Sequence, residues 1–344
     1  MKIEKTKAGE ITLFTLTNAK GAKVVLSTLG AGIVAVEVPD RNGDIADVCL
    51  GYANPADYLA DDPCAGKVPG RYANRIAKGH FTIDGKDYSL AINNGPNALH
   101  GGPTGFMNRI WNAEEITDGV KFSYTAADGE EGYPGNLEVT ATYTWNDDCR
   151  LRLRLQAHSD APTVVNLTNH AYWNLDGHNS GSVLDHTLQL ACSRFLPTDS
   201  TLIPTGEIAP VAGTPMDFTT PKTIGRDIKA DFPSLEYGKG YDSCWVIDGY
   251  EKNGEMRLAA VLEAPRSGRV LEVSTTQPAA QVYAGCWLAG CPANKAGRSY
   301  DDYDGVAIEC QNMPDAPNHP NFPSAELRPG EKYDETIDFT FKVK

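Results

Sequence analysis

Apolar and polar positions alternate with period two along much of this 344-residue chain. Segments 11–17 (ITLFTLT), 23–28 (KVVLST), 120–126 (VKFSYTA), 137–145 (LEVTATYTW), 150–159 (RLRLRLQAHS), 270–276 (VLEVSTT) and 336–343 (TIDFTFKV) all read as half-buried strands. From Arg150 to Gln156 arginine and leucine take turns, which predicts one wet face and one face against a core. In 81–90, Asp84-Gly85 separates two short strands; both positions tolerate positive φ, so a tight hairpin turn is expected. Asn146-Asp147-Asp148 is read as a turn of the same kind.

Helical patterning is poor. Only 55–61 (PADYLAD) predicts a turn or two of helix, and no long amphipathic helices alternate with the strands. With 33 glycines and 22 prolines, the pattern predicts an all-β fold, a large antiparallel β-sandwich. Segment 195–240, rich in Pro, Gly, Thr and Asp, reads as long surface excursions within one domain spanning 1–344.

Composition narrows the function. The chain is 41% hydrophobic, with a mean hydropathy of −0.36, as expected of a globular protein with ample core. A formal charge of −14 argues against nucleic-acid and anionic-membrane partners. No apolar run approaches the ~20 residues that span a bilayer, and the start, MKIEKTKAGEITLF, lacks the apolar stretch of a secretory signal. The eight cysteines form no CxxC pair, and several sit in strand-like runs. Reduced, partly buried thiols in a cytoplasmic protein are therefore expected, and the Asn166-Leu167-Thr168 acceptor sequence is idle.

Three motif resemblances fail on context. Gly30-Ala31-Gly32 matches a dinucleotide fingerprint in letters, but the run continues as a strand to Pro39, so a turn between strands is expected. Asp302-Tyr303-Asp304-Gly305 lacks the closing glutamate of a calcium loop and reads as an acidic surface turn. The histidines lack the spacing that specifies zinc, so no metal is predicted.

What remains is a scattered polar and aromatic set. It comprises Arg71, Asn74 and Arg75 in GRYANRI, His100 in NALHGG, Asn169, His170, Tyr172, Trp173 and Asn174 in NLTNHAYWNL, Asp242 in GYDSCWVI, Gln281 and Tyr283 in QVYAG, and Glu309 in GVAIECQN. Each alone has a bland reading: a satisfied histidine, a surface ion pair, a core tryptophan. Together, planar hydrogen-bonding groups beside aromatic faces form the inventory of a sugar site. Glu309 follows the apolar run Val306–Ile308, which predicts a carboxylate held at a strand end before a proline-rich loop.

Long motifs carry a family resemblance. GRYANRIAKGHF, NALHGGPTGFMNRIW, VNLTNHAYWNL, FLPTD, KGYD, TTQPAAQVYAG, ECQNMPDAPNHPNFPS and LRPGEKY, in this order, resemble the aldose 1-epimerase (galactose mutarotase) family over nearly the whole chain. The resemblance implies the galactose mutarotase-like β-supersandwich and interconversion of the α and β anomers of free aldohexoses, without redox or metal cofactor. It implies that Glu309 is the general base at the C1 hydroxyl, that His170 is the acid at the ring oxygen, and that His100 binds and positions the sugar. Arg75 with Asn74, Asp242 and Gln281 become substrate-binding residues, with Tyr172 a further candidate. The sequence departs from the family at Ser243, where histidine is common, and at Cys286, where asparagine is common. A small-molecule aldose is the expected partner, with the chain a monomer or homodimer. The alternatives are a non-catalytic sugar binder, a glycoside hydrolase using Asp242 with Glu309, or a hexose-phosphate epimerase relying on Arg71 and Arg75.

Overall fold

A computed structural model describes residues 1–344, the side chain of Ala60 excepted. Three antiparallel sheets dominate. The first has five strands in sequence order, from Lys2–Ala8 to Ile45–Asp47. The second has nine, centred on Leu137–Trp145, Arg150–Ser159, Tyr333–Val343 and Arg269–Thr275. The third has six, in the order Tyr172–Trp173, Val306–Gln311, Ala279–Tyr283, Asp242–Val246, Arg194–Leu196 and Ala209–Pro210. An isolated bridge ties Cys49, two residues beyond the last strand of the five-stranded sheet, to Trp173 of the six-stranded one.

One apolar core draws on all three sheets: Phe14, Leu16 and Val24 from the first, Leu151, Leu153 and Phe339 from the second, Trp245, Val282 and Ile308 from the third. The alternation in Arg150–Ser159 does what its pattern predicts, with every second residue buried. Trp173 is fully buried against Phe339 and Phe341, so it belongs to the core. The fold is thus the antiparallel β-sandwich expected from the period-two pattern.

Local outcomes follow from backbone chemistry. Asp84 and Gly85 both take positive φ between His80–Ile83 and Lys86–Ser89, as the hairpin requires. The turn after Trp145 is longer than expected. Cys149 takes the left-handed conformation, and the Asn146 side chain accepts from the amides of Asp148 and Arg150. The 55–61 segment forms a short 3-10 helix, Pro55–Ala60, capped by Asn54. Within 195–240 the structure adds a short helix, Pro233–Tyr237, that the sequence pattern did not announce; five residues are too few for a periodic signal. Strand Lys2–Ala8 was also missed, because it is an edge strand almost wholly exposed and carries no apolar alternation. Gly30–Gly32 is indeed a turn between strands Lys23–Ser27 and Gly32–Pro39. The 302–305 turn is only partly on the surface: Asp304 is buried, close to Arg298. All eight cysteines are free, and seven are buried.

Candidate active site

The six-stranded sheet has two chemically different faces. Along Val306–Gln311, Val306, Ile308 and Cys310 enter the core, while Ala307, Glu309 and Gln311 face the other way. Glu309 therefore stands in mid-strand, paired in register with Gln281, and not at the strand end that its sequence setting predicted. The strand continues two residues further because Cys310 and Gln311 keep their pairing to Ala280 and Ala279. A cavity of about 490 Å3 opens over this face, lined by Asn74, Arg75, His100, His170, Tyr172, Asp242, Tyr283 and Glu309.

His170 Nε2 lies 3.4 Å from Glu309 Oε1, and both residues are buried. The His170 backbone is clamped: its amide donates to Lys67 O and its carbonyl accepts from Gly66 N, each at 2.9 Å. Glu309's carboxyl is pushed well above its ordinary range, first by burial and then by the negative charge of Asp242, against the pull of Arg75. His170 is brought down to about 4, chiefly by burial. Desolvation thus penalises both charges.

His100 and Asn74 fix each other. Asn74 N donates to His100 Nδ1 and His100 N donates to Asn74 O, both at 3.1 Å. Both residues sit at positive φ, 63° and 53°. Asparagine and histidine are among the side chains that tolerate this region, and such strain collects at functional sites. The glycine after His100 allows the arrangement: a Cβ at Gly101 would stand 1.9 Å from the Gly70 carbonyl oxygen. Because His100 Nδ1 accepts, Nε2 of the neutral ring carries the proton. Burial, helped by the neighbouring charges of His170 and Arg75, keeps this ring neutral by driving its pKa well down.

His100, His170 and Glu309 offer ligand atoms all within 4.8 Å of one another, so the fold assembles a three-residue cluster that sequence spacing did not reveal. Its donor set fits a metal poorly, since the His100 tautomer directs an N–H donor, and not a lone pair, from Nε2. The cluster suits hydrogen-bonding and proton transfer better.

Arg75 enters the cavity with Nε on Asn94 Oδ1 at 3.0 Å and a terminal nitrogen 3.7 Å from Asp242 Oδ2. Gln281 does not line the cavity. Its Nε2 donates to Asp242 Oδ1 at 2.6 Å, so it orients that carboxylate from behind. Tyr172 contributes its ring, 4.9 Å from that of His170, while its hydroxyl donates to Pro63 O at 3.0 Å. Arg71 is not in the site: buried, it donates to the carbonyls of Pro134 and Gly135 and to Thr163. Asn169 and Asn174 likewise serve backbone groups, Gly66 O for the former and Gly181 O and Asp304 O for the latter.

Several lining residues escaped the sequence reading. Asn94 and Trp287 sit on loops, and Asp62 follows the 3-10 helix. Trp287 is 60% exposed at the rim, beside Cys286, one of the positions where the chain departs from the family pattern. A tryptophan in a loop after a strand was the available signal.

Comparison with known proteins agrees with this geometry. The family model described as aldose 1-epimerase matches residues 12–340. A galactose mutarotase of Sus scrofa is 44% identical over 336 residues, covering 98% of this chain and 95% of that protein. An aldose 1-epimerase of Escherichia coli (strain K12) is 38% identical, covering 96% of this chain and 94% of its own. The crystal structure of an aldose epimerase homologue from C. elegans superposes with a TM-score of 0.88 at 33% identity, over 96% of this chain and 98% of that one. The chain belongs to the aldose 1-epimerase family, and it is accordingly an isomerase of the mutarotase type.

Proposed function

We propose that the protein interconverts the α and β anomers of free aldohexoses, glucose and galactose among them, in the cavity built around His170 and Glu309. The observation that carries this reading is the 3.4 Å approach of one buried carboxylate to one buried imidazole, brought from distant segments to the same cavity. Mutarotation needs a proton removed from the C1 hydroxyl and one given to the ring oxygen, two neighbouring atoms. The reactive form of the pair is the one with the proton on His170 and the charge on Glu309, which the two can exchange across their 3.4 Å contact; from it Glu309 takes the first proton and His170 supplies the second, C1 then rotates as an aldehyde, and the ring closes with the roles reversed. Burial makes Glu309 a stronger base than an ordinary carboxylate. Both groups are back in their starting protonation states at the end of each cycle. No electron is transferred.

Around this pair, His100 Nε2–H, the guanidinium of Arg75 and the carboxylate of Asp242 bind hydroxyls, and Asn74 and Gln281 hold His100 and Asp242 in place. The rings of Tyr172 and Tyr283, 5.9 Å apart, offer apolar faces to the sugar. Residues 1–344 act as one domain, a reading supported by the shared core of the three sheets. The free thiols favour a cytoplasmic location, and no helix among the described residues is long and apolar enough to cross a membrane. The chain acts as a monomer or homodimer, without nucleic-acid or membrane partners. With Arg71 withdrawn into the fold, Arg75 alone of the expected arginine pair reaches the cavity, which disfavours a phosphorylated substrate.

Polarimetry of freshly dissolved α-D-glucose or α-D-galactose tests the proposal. The purified protein should accelerate approach to the equilibrium rotation by orders of magnitude; an unaltered rate with both sugars rejects it. Nitrophenyl glycosides should remain uncleaved.

A further inference from the structure

Tyr172–Trp173 pairs antiparallel with the Val306–Gln311 strand, and the segment that leads into it from Asn166 meets the same strand through side chains. Tyr172 pairs with Ala307, His170 meets Glu309, and Asn166 accepts from Asn312 N at 2.8 Å and donates to Asn312 O at 3.3 Å. Between the His170–Glu309 and Asn166–Asn312 contacts lie Thr168 on one segment and Gln311 on the other. Both are fully buried. Thr168 Oγ1, both carboxamide atoms of Gln311, and Glu309 Oε2 are buried without a hydrogen-bond partner. Gln311 shares the strand face of Glu309, two residues along.

Buried amides left unpaired cost free energy, and an apolar residue would avoid that cost. Here the unpaired groups cluster behind the one carboxylate that must gain and lose a proton. We infer that Gln311 is a positioning residue for Glu309, its carboxamide serving the inner oxygen Oε2 through an internal water that Thr168 Oγ1 helps to hold. Such a water finds polar partners on three side chains, the number buried waters commonly have. A carboxamide suits this place because it is donor and acceptor at once. Its N–H side supports the carboxylate, and its C=O side supports the carboxylic acid. An ammonium or a second carboxylate would lock Glu309 in one state.

The inference rests on Glu309 as the base, so Glu309→Gln is measured in parallel. Gln311→Met keeps the volume and removes the amide. Expected are a kcat about tenfold lower, as for other supporting partners, a KM within about twofold, an unfolding temperature unchanged or raised, and an alkaline limb of the pH–kcat/KM profile moved to higher pH. Thr168→Val should move the same limb in the same direction by less. An unaltered kcat and limb in Gln311→Met, with Glu309→Gln inactive, overturns the inference alone; an active Glu309→Gln overturns the base assignment itself. Should Gln311→Met not fold, Gln311→Leu and Thr168→Val carry the same readout. A lowered unfolding temperature without movement of the limb marks a merely structural glutamine and also overturns the inference.

Discussion

Two buried charge pairs lie close together in this protein, and they are built differently. Lys67 and Asp61, 1% and 6% exposed, are saturated. Lys67 Nζ donates to Asp61 Oδ1 and to Tyr58 O, and Asp61 Oδ2 accepts from Ala65 N at 2.7 Å and Tyr52 Oη at 3.3 Å. His170 and Glu309 are equally buried, yet His170 Nδ1 and Glu309 Oε2 find no hydrogen-bond partner on another residue. A buried pair that anchors structure needs every lone pair and proton occupied. A pair that moves protons cannot have every position locked by a partner, and it gives up stability for that freedom. Lys67 links the two, since its carbonyl and the Gly66 amide clamp the His170 backbone.

The sharpest break of this contrast is at the open pair. Glu309→Gln and His170→Asn should each lower the mutarotation rate by about 10²- to 10⁴-fold, the usual contribution of positioned acid–base groups, with circular dichroism unchanged. Near-normal polarimetric rates in either variant would remove that residue from the mechanism. At the saturated pair the effect should fall on stability: Lys67→Met leaves Asp61 buried and unpaired and should cost about 3 kcal/mol, read by denaturant unfolding. The carboxyl of Asp61, already pushed up to about 6 by burial, should then be protonated at neutral pH. An intact unfolding midpoint would show that the pair anchors nothing.

Arg75→Ala sits between the two, since it touches substrate hydroxyls but no transferred proton. It should raise KM about tenfold through loss of charge-assisted hydrogen bonds, and leave kcat within severalfold. An unchanged KM would take Arg75 out of sugar binding.

The mildest effects concern pH. The reaction needs Glu309 ionised and a proton on His170, whereas burial pushes the Glu309 carboxyl up and brings His170 down to about 4. At low pH both groups are protonated and no base remains; at high pH both are deprotonated and no acid remains. The kcat/KM profile should therefore fall toward both extremes of pH. Stability should respond in one direction. The folded pKa of Glu309 lies above the ~4.3 of an unfolded chain, so its contribution is fully present below that value and is lost as pH rises through the folded one. Glu309→Gln has no such loss. Its unfolding temperature should gain on the native protein as pH increases; parallel curves would contradict the buried charge.

Sheet architecture was legible in the sequence because half-buried strands such as Leu137–Trp145 and Arg150–Ser159 write their burial as alternation. The exposed edge strand Lys2–Ala8 and the cavity rim, Asn94 and Trp287 included, carry no such record. His100, His170 and Glu309 were identified by motif resemblance, but their convergence is a property of topology, as they lie far apart in the chain. Gln281 and Arg71 show the limit from the other side. Both are polar residues within matched motifs, and the fold turns one behind Asp242 and the other toward the Pro134 and Gly135 carbonyls. Residue type alone does not say which way a side chain faces.

The glycine at 101 has a wider consequence. It marks a crossing where two loops touch backbone to backbone, one bearing Arg75 and the other His100. A single added methyl there acts as a wedge. It spreads both sugar-holding arms without altering any group that meets the sugar, so an enzyme with every reactive atom intact can be disabled by one carbon placed behind them.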